Sequence, residues 1–400
     1  MALRTLVSLL SLSSIGHSYK PLSDNFLNLV PAASAAELDP ANGDLLASFL
    51  QPRAPGSAGH ADVQDHLVQW FATNLPDWTV EWQNSTAYTP SPKLGGKARA
   101  HRLENLVFRR EPPWTRPGQA NLLTFAAHYA TPLAAPLDYV GATDAAVSCA
   151  LMLHVARSLD RFAAQMYREM QELGEGGTVP MDMGLQVVFI DGVGATAKTG
   201  DLSGSEALAS AWEHQKNPAL PASLYGYPNR LNQISMLVLL DLLGTSDPRV
   251  PSRYITTHWA YRAMATVEHR LRKLGRLETD VPVGERYDAA TTASATNFLP
   301  DMTSPVHQYD LASGWATDTD DHVPFMRRGI SVLPVIPDSV PEQKKPADLD
   351  MKAVHDWSMV LTGFALEWLD MMEVEPQPEK AAGEVPAQRQ RRWEHGHGRE

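Results

Sequence analysis

The segment Leu185-Gln-Val-Val-Phe-Ile-Asp-Gly192 is the most informative stretch of this 400-residue chain for its architecture. Its β-branched and aromatic residues form an unbroken apolar run, which is typical of a strand buried on both faces, and the run ends at an acidic residue and a glycine. Residues 122–127, 236–240 and 330–336 have the same apolar character. Helical patterns separate these runs, so the alternation predicts a mostly parallel sheet with helices on both faces.

Between and around these strands, we predict helices where apolar residues recur three and four positions apart. The predicted helices are residues 41–52, 61–71, 145–159, 205–212, 258–274 and 352–369. Two shorter strands are predicted at residues 78–82 and 105–108. Together these elements predict one three-layer α/β domain with a twisted central sheet over residues 38–372, preceded by an arm at residues 19–37.

Composition excludes some partners and some kinds of site. The net charge of −12 and the pI near 5.6 argue against nucleic acid, which needs a basic face. Cys149 is the only cysteine, so an intrachain disulfide and a cysteine-rich metal site are both excluded. We expect Cys149 to be an inert core residue of the helix that follows Asp144.

The two ends of the chain differ from its middle. Residues 1–18 carry one positive charge, Arg4, before a short apolar run and small residues, which predicts a secretory signal peptide; a buried terminal helix is the alternative. A secreted chain would make Asn84-Ser85-Thr86 a glycosylation sequon. Residues 373–400 lack apolar periodicity and are predicted to be disordered. We expect a secreted monomer with no membrane contact after cleavage.

Acidic residues stand where the predicted strands end. Asp191 and Asp241 directly follow apolar runs, and Asp144 comes after the loop that leaves residues 122–127. Ligands of open parallel sheets bind beyond the carboxyl ends of the strands, so these three residues are candidates for chemistry. The alternative is that each aspartate caps a helix or closes a turn.

Five stretches carry a likeness to a known family. They are Ala127-His-Tyr129, Val140-Gly-Ala-Thr-Asp-Ala-Ala-Val-Ser-Cys149, Leu185-Gln-Val-Val-Phe-Ile-Asp-Gly192, Leu237-Val-Leu-Leu-Asp-Leu-Leu-Gly244 and Asp320-Asp-His-Val-Pro-Phe-Met-Arg-Arg-Gly329. In this order they resemble glutaminyl-peptide cyclotransferases of the fungal type, which are relatives of the zinc aminopeptidases. The resemblance implies an aminopeptidase-like α/β fold and peptide or protein N-termini as partners.

The resemblance also implies a reaction. Family members close an N-terminal Gln into pyroglutamate and release ammonia. One zinc ion, held by an Asp, a Glu, a His and a water, polarises the side-chain carbonyl as a Lewis acid. A second Glu moves a proton from the attacking amine to the leaving nitrogen, and two Asp residues support it.

Part of this residue set is present. Asp144 matches the zinc-ligand Asp, and Asp241 and Asp320 match the two supporting Asp residues. His128 matches a His that the aminopeptidases use for a second zinc. Ala130 stands where both families usually have an Asp.

The other part is replaced. Val193 and Gly194 stand where the family has the proton-shuttling Glu and the ligand Glu, and Lys345 stands where it has the ligand His. Valine and glycine have no side-chain lone pair, and a lysine ammonium repels a cation. The remaining polar remnants of the site are His128, Asp191, Asp321 and His322.

Three functions stay open from the sequence. A working zinc-dependent cyclase would need substitute ligands, for which Asp338, Glu342 and His355 are available. An inactive paralogue would keep the fold and a pocket for peptide N-termini. An aminopeptidase is the weakest of the three because Ala130 and Gly194 remove ligands for both of its metals.

Overall fold

The computed structural model describes residues 21–89, 97–174, 182–192, 202–221, 223–246, 248–279, 298–300, 320–338, 345–371 and 374. The signal peptide predicted at residues 1–18 lies outside these ranges, as does the tail predicted at residues 373–400 apart from Val374. Val193, Gly194 and Glu342 also lie outside the described residues.

A central sheet organises the described chain. Its strands are β1 (Thr79–Thr89), β2 (Arg99–Arg110), β3 (Asn121–His128), β4 (Met183–Ile190), β5 (Ile234–Leu240) and β6 (Val332–Val335). The spatial order is β1-β2-β4-β3-β5-β6. The last four strands in that order pair in parallel, which confirms the predicted parallel core. The two strands at the other edge form an antiparallel hairpin, which the sequence patterns did not predict.

Helices cover both faces of the sheet and complete the predicted three layers. They are α1 (Asp24–Leu27), α2 (Ala58–Asn74), α3 (Val147–Leu173), α4 (Ser203–His214), α5 (His258–Lys273), α6 (Val323–Arg327) and α7 (Met351–Trp368). The larger apolar cluster joins one face of the sheet to α2, α3, α5 and α7. The smaller cluster joins the other face to α4 and α6. No helix among the described residues is long and apolar enough to cross a bilayer.

The helix predicted at residues 41–52 is wrong. The structure has turns there and one short 3-10 turn, Ala47–Phe49. The Asp39 carboxylate accepts hydrogen bonds from the amides of Ala41 and Asn42, and this local bond competes with a helix. Leu45 and Phe49 are nevertheless fully buried, so the apolar spacing reflected burial rather than helical structure.

The arm before residue 38 packs into the core. Leu22, Phe26 and Val30 are buried in the larger cluster. The Leu22 amide donates to Glu367 Oε1 at 2.9 Å, so α7 holds the arm by a polar contact as well as by apolar packing.

Candidate active site

Three functional side chains meet at the carboxyl edge of the parallel strands. His128 is the last residue of β3, and Asp241 directly follows the neighbouring strand β5. Asp144 lies in the turn Ala142–Ala146 that leads into α3. His128 Nε2 is 3.7 Å from Asp144 Oδ1 and 3.6 Å from Asp241 Oδ1. The three side chains are 25%, 26% and 21% exposed, so the cluster is reachable from solvent.

Unusual backbone conformations bring the two aspartates together. Gly141 has φ 54°, a left-handed value that glycine adopts without strain, and its carbonyl accepts the amides of Ala145 and Ala146. Leu242, after Asp241, has φ 61°, which is strained for a leucine, and its amide donates to the Asp144 carbonyl at 3.3 Å. Residues in strained conformations cluster at functional sites, and here the strain accompanies a bond between the two loops.

Neighbouring groups orient the donors of the cluster. His128 Nδ1 lies 3.2 Å from the Ala130 carbonyl oxygen, to which a proton on Nδ1 can be donated. The other ring nitrogen, Nε2, then faces the carboxylates of Asp144 and Asp241. The Tyr139 hydroxyl donates to Asp144 Oδ2 at 3.1 Å. Such outer contacts commonly fix the tautomer of a metal-binding histidine and the orientation of a ligating carboxylate.

The electrostatics of the cluster depend on its two carboxylates. Burial lowers the pKa of His128, but Asp144 and then Asp241 outweigh burial and raise that pKa well above its usual value. Burial raises the pKa of Asp241, against the lowering effect of His128, and the charges of Asp144 and Asp320 add to the rise. Because about a quarter of each side chain is exposed, water moderates these shifts. A protonated His128 therefore balances the carboxylates when no other cation does.

These residues fit a divalent metal ion. One donor atom from each of His128, Asp144 and Asp241 lies within 4.8 Å of the others. Asp241 Oδ1 is buried and has no hydrogen-bond partner, so it has an unused lone pair. One imidazole and two carboxylates are ligands that zinc accepts, and three protein ligands leave a position open in catalytic sites. Of the three zinc ligands that the family resemblance implies, this sequence keeps one, Asp144. The structure nevertheless brings three possible ligands together, because His128 and Asp241 lie beside it.

The motif that precedes α6 has two parts, because its two aspartates act on the cluster whereas its histidine is buried in the core. Asp320 and Asp321 are half-buried, and their charges act on Asp241 and His128 respectively. His322 is buried, and its Nε2 lies 2.7 Å from the Tyr254 hydroxyl. Burial lowers the pKa of His322 to about 3, so this ring is neutral at physiological pH and stands outside the three-residue group.

Asp191 closes a buried structural network. Its carboxylate accepts the amides of Glu104 and Gly192, both at 2.8 Å, and lies 3.1 Å from His60 Nε2 in an alignment that is poor for a hydrogen bond. A Cβ atom at Gly204 would lie 1.6 Å from the Asp191 carbonyl oxygen, so only glycine lets α4 approach this closely. Asp191 therefore positions the end of β4 and does not join the cluster of His128.

Of the replaced positions and the suggested substitute ligands, the structure describes Lys345, Asp338 and His355. Lys345 is exposed, and its amide donates to Asp348 Oδ2 at 3.1 Å. His355 lies 3.1 Å from the Asp356 carboxylate. Asp338 is exposed. Within the described chain, neither Asp338 nor His355 belongs to the group that could hold a metal.

Arg53 is a site-building residue that the sequence patterns missed. Its fully buried guanidinium donates to the carbonyls of Phe49, Tyr129 and Val140. It thereby ties together the segment after His128 and the segment before Asp144. An arginine in a Pro- and Gly-rich turn looks like a solvated residue in sequence, and no local pattern shows that distant carbonyls surround it.

Cys149 is buried in α3 and free, as predicted. Its Sγ donates to the His128 carbonyl at 3.4 Å. Burial raises the pKa of the thiol to about 12, so it is protonated and poorly nucleophilic at neutral pH. Cys149 therefore contacts the backbone of His128 and has a structural role.

Comparisons with known proteins identify the family and the fold. Residues 105–355 match the family described as Peptidase family M28. A glutaminyl-peptide cyclotransferase-like protein of Bos taurus is 31% identical over 350 residues, covering 84% of this chain and 77% of that protein. An uncharacterised protein of Saccharomyces cerevisiae is 30% identical over 340 residues, covering 82% of this chain and 83% of that protein. The crystal structure of Macrostomum lignano glutaminyl cyclase superposes with a TM-score of 0.62 at 22% identity, covering 88% and 95% of the two chains.

The fold and the matched region define a protein of peptidase family M28. Within it, the chain belongs to the glutaminyl-peptide cyclotransferase-like group, as the resemblance of its motifs implied.

Proposed function

We propose that this protein binds the free amino-termini of peptides at the cluster of His128, Asp144 and Asp241, and that it turns over glutaminyl peptides at no useful rate. It is then a glutaminyl-cyclase-like binding protein rather than a working cyclase. The convergence of two partly exposed carboxylates on one histidine is the observation that carries the proposal.

Charge supports the binding of an amino-terminus. Among the described residues, four carboxylates lie in or beside the cluster, those of Asp144, Asp241, Asp320 and Asp321. The positive charges that face them are those of His128 within the cluster and of the buried Arg53, which acts on Asp144. A peptide α-ammonium group brings one charge and three donors to such a site. Hydrogen bonds between charged partners are roughly twice as strong as neutral ones, so an acylated terminus should bind much more weakly.

A metal would act at the same place. His128, Asp144 and Asp241 are the residues that would hold it, and the bound ion would polarise a carbonyl oxygen of the peptide's first residue. The charges of Asp320 and Asp321 act on Asp241 and His128 from beside this place.

The absent proton shuttle argues against turnover. Cyclisation needs a group that takes a proton from the amine and delivers it to the leaving nitrogen. Val193, at the matching position, has no titratable atom. A positioned acid–base group is commonly worth roughly 10²–10⁴ in rate, so its absence alone makes cyclisation slow.

Binding and turnover can be measured separately on the full chain, with binding measured on the metal-free protein and turnover on the zinc-treated protein. Elemental analysis gives the metal content, calorimetry compares a Gln-initiated peptide with its N-acetylated form, and an ammonia assay reports cyclisation. We expect at least about tenfold tighter binding of the free amine and no zinc-dependent ammonia release. Asp144→Asn should weaken binding of the free amine, whereas Asp338→Asn, an exposed carboxylate outside the cluster, should not.

Two results would contradict the proposal. Equal affinity for the free and the acetylated peptide would show that the carboxylates do not recognise the amine. Zinc-dependent ammonia release that is lost in Asp144→Ala would establish a working cyclase.

Restoring the family residues tests the reason given for inactivity. Val193→Glu, Gly194→Glu and Lys345→His combined should raise zinc affinity first and then ammonia release, by roughly 10²–10⁴ over the unmodified protein. Each single change should do little, because groups that act as a unit have non-additive effects.

A further inference from the structure

The outer strand of the sheet presents a polar and aromatic face to solvent. β1 is the first strand in the sheet order, and among the described strands it pairs with β2 alone. Side chains alternate between the faces of a strand, and one face of β1 carries four exposed residues in succession. These are Trp82, Asn84, Thr86 and Tyr88.

The opposite face of β1 packs towards the domain, which leaves the first face exposed to solvent. Ala87 is buried, and Ser85, Gln83 and Glu81 are half-buried against the domain. The alternation therefore fixes the register of β1, because a slip by one residue would bury the exposed face.

Asn84-Ser85-Thr86 is the one Asn-x-Ser/Thr triplet in the sequence, and its middle residue is a serine, which satisfies the requirement that this position is not a proline. The extended backbone places the amide of Asn84 and the hydroxyl of Thr86 on the same exposed face, roughly 7 Å apart along the strand. The structure thus shows that both side chains of the acceptor triplet are accessible in the folded protein as well as in the nascent chain.

Trp82 lies two residues before Asn84 on the same face of β1, as far from Asn84 as Thr86 is on the other side. Its indole is 41% exposed although its cross-strand partner, Leu106, is fully buried. An aromatic ring with an apolar face and partial exposure offers a stacking surface to the apolar face of a sugar ring. Tyr88, on the same face, is 69% exposed but lies four residues from Asn84, roughly 13 Å away.

We propose that Asn84 carries an N-linked glycan whose first sugar packs on the indole of Trp82. In the transfer, Asn84 Nδ2 forms a bond to the anomeric carbon of a lipid-linked oligosaccharide. The bond between that carbon and the polyprenyl diphosphate breaks, the diphosphate leaves with the bonding electrons, and an amide proton goes to solvent. The proposal depends on entry into the secretory pathway, which the segment at residues 1–18 predicts, and is independent of peptide binding.

The attachment is tested by expressing the full chain in a secreting eukaryotic host. Mass spectrometry before and after peptide-N-glycanase treatment should show the loss of a glycan and an aspartate in place of Asn84. Asn84→Gln and Thr86→Val should each abolish the modification, and valine keeps the β-branched shape of threonine in the strand. A secreted wild-type chain without a glycan, or a chain that never enters the pathway, overturns the proposal.

The role of Trp82 has its own measurement, because the glycosylated and the enzymatically deglycosylated proteins can be melted side by side. We expect deglycosylation to lower the Tm of the wild type by about 2 °C. In Trp82→Ala the two forms should melt together, Trp82→Phe should restore part of the difference, and Tyr88→Ala should keep all of it. An equal loss in Trp82→Ala and Tyr88→Ala, or no shift in the wild type, contradicts the packing on Trp82.

Discussion

Two aspartate–histidine contacts lie near the ends of neighbouring parallel strands and behave differently. Beyond β4, Asp191 and His60 are 3.1 Å apart with side chains only 0% and 4% exposed. Beyond β3 and β5, His128 lies 3.6 and 3.7 Å from two carboxylates, and all three side chains are more than a fifth exposed. The first contact belongs to a closed network, whereas the second leaves a carboxylate oxygen, Asp241 Oδ1, without a hydrogen-bond partner.

The comparison shows that residue type and strand-end position do not define a site by themselves. Each carboxylate oxygen of Asp191 already accepts a hydrogen bond from a backbone amide, Oδ2 from Glu104 and Oδ1 from Gly192. Among the described residues, Asp241 Oδ1 has no hydrogen-bond partner, so this oxygen can bind a cation. Availability of lone pairs, rather than the presence of a carboxylate, distinguishes the candidate site from the structural network.

The largest expected effect tests this difference by stability. Asp191→Ala should lower the free energy of unfolding by about 3 kcal/mol, because it leaves the amides of Glu104 and Gly192 without their hydrogen-bond acceptor. Asp144→Ala, in the open cluster, should change it by less than about 1 kcal/mol, as for partly exposed ion pairs. Urea unfolding of both variants measures the contrast, and equal losses would show that the open cluster is structural too.

A buried histidine that belongs to neither contact gives the next largest effect, through pH. Burial, helped by Arg157, lowers the pKa of His154 to about 4, and its Nε2 lies 3.2 Å from the Pro31 carbonyl of the arm. Between about pH 6.5 and pH 4 the unfolded chain binds a proton at this residue that the folded protein does not, so stability falls as pH falls through that window.

From pH 7 to pH 5 this histidine should contribute a loss of about 2 kcal/mol in unfolding free energy. His154→Gln should remove that part of the acid sensitivity. His214→Gln, at an exposed position, should leave it unchanged. Parallel urea titrations at the two pH values decide the matter, and identical pH dependence in wild type and His154→Gln would refute the assignment.

The smallest effect concerns the orientation of the open cluster. Tyr139→Phe removes the hydroxyl that donates to Asp144 Oδ2 and should weaken zinc binding about tenfold, the lower end for the loss of an outer contact. Tyr225→Phe, an exposed tyrosine, is the matched control. Competition with a chelating dye gives both affinities, and an unchanged value for Tyr139→Phe would mean that Asp144 does not bind the metal.

Local pattern was enough for much of the architecture. The apolar runs predicted the buried strands and their parallel core, and the helical spacing predicted α3 and α7, because both depend on periodicities of neighbouring residues. The burial of Cys149 followed from the apolar residues around it. The motif around Asp144, Asp241 and Asp320 indicated the family, which the comparisons show.

Tertiary structure alone decided the antiparallel hairpin at the sheet edge, the turns at residues 41–52, the role of Arg53 and the separation of Asp191 from Asp241. Each depends on which distant groups meet, such as the carbonyls of three segments around Arg53 or the amide of Glu104, in β2, that binds Asp191. A sequence shows which donors and acceptors a residue carries. Whether those lone pairs are already satisfied depends on contacts between residues far apart in the chain, and these form only when the chain folds.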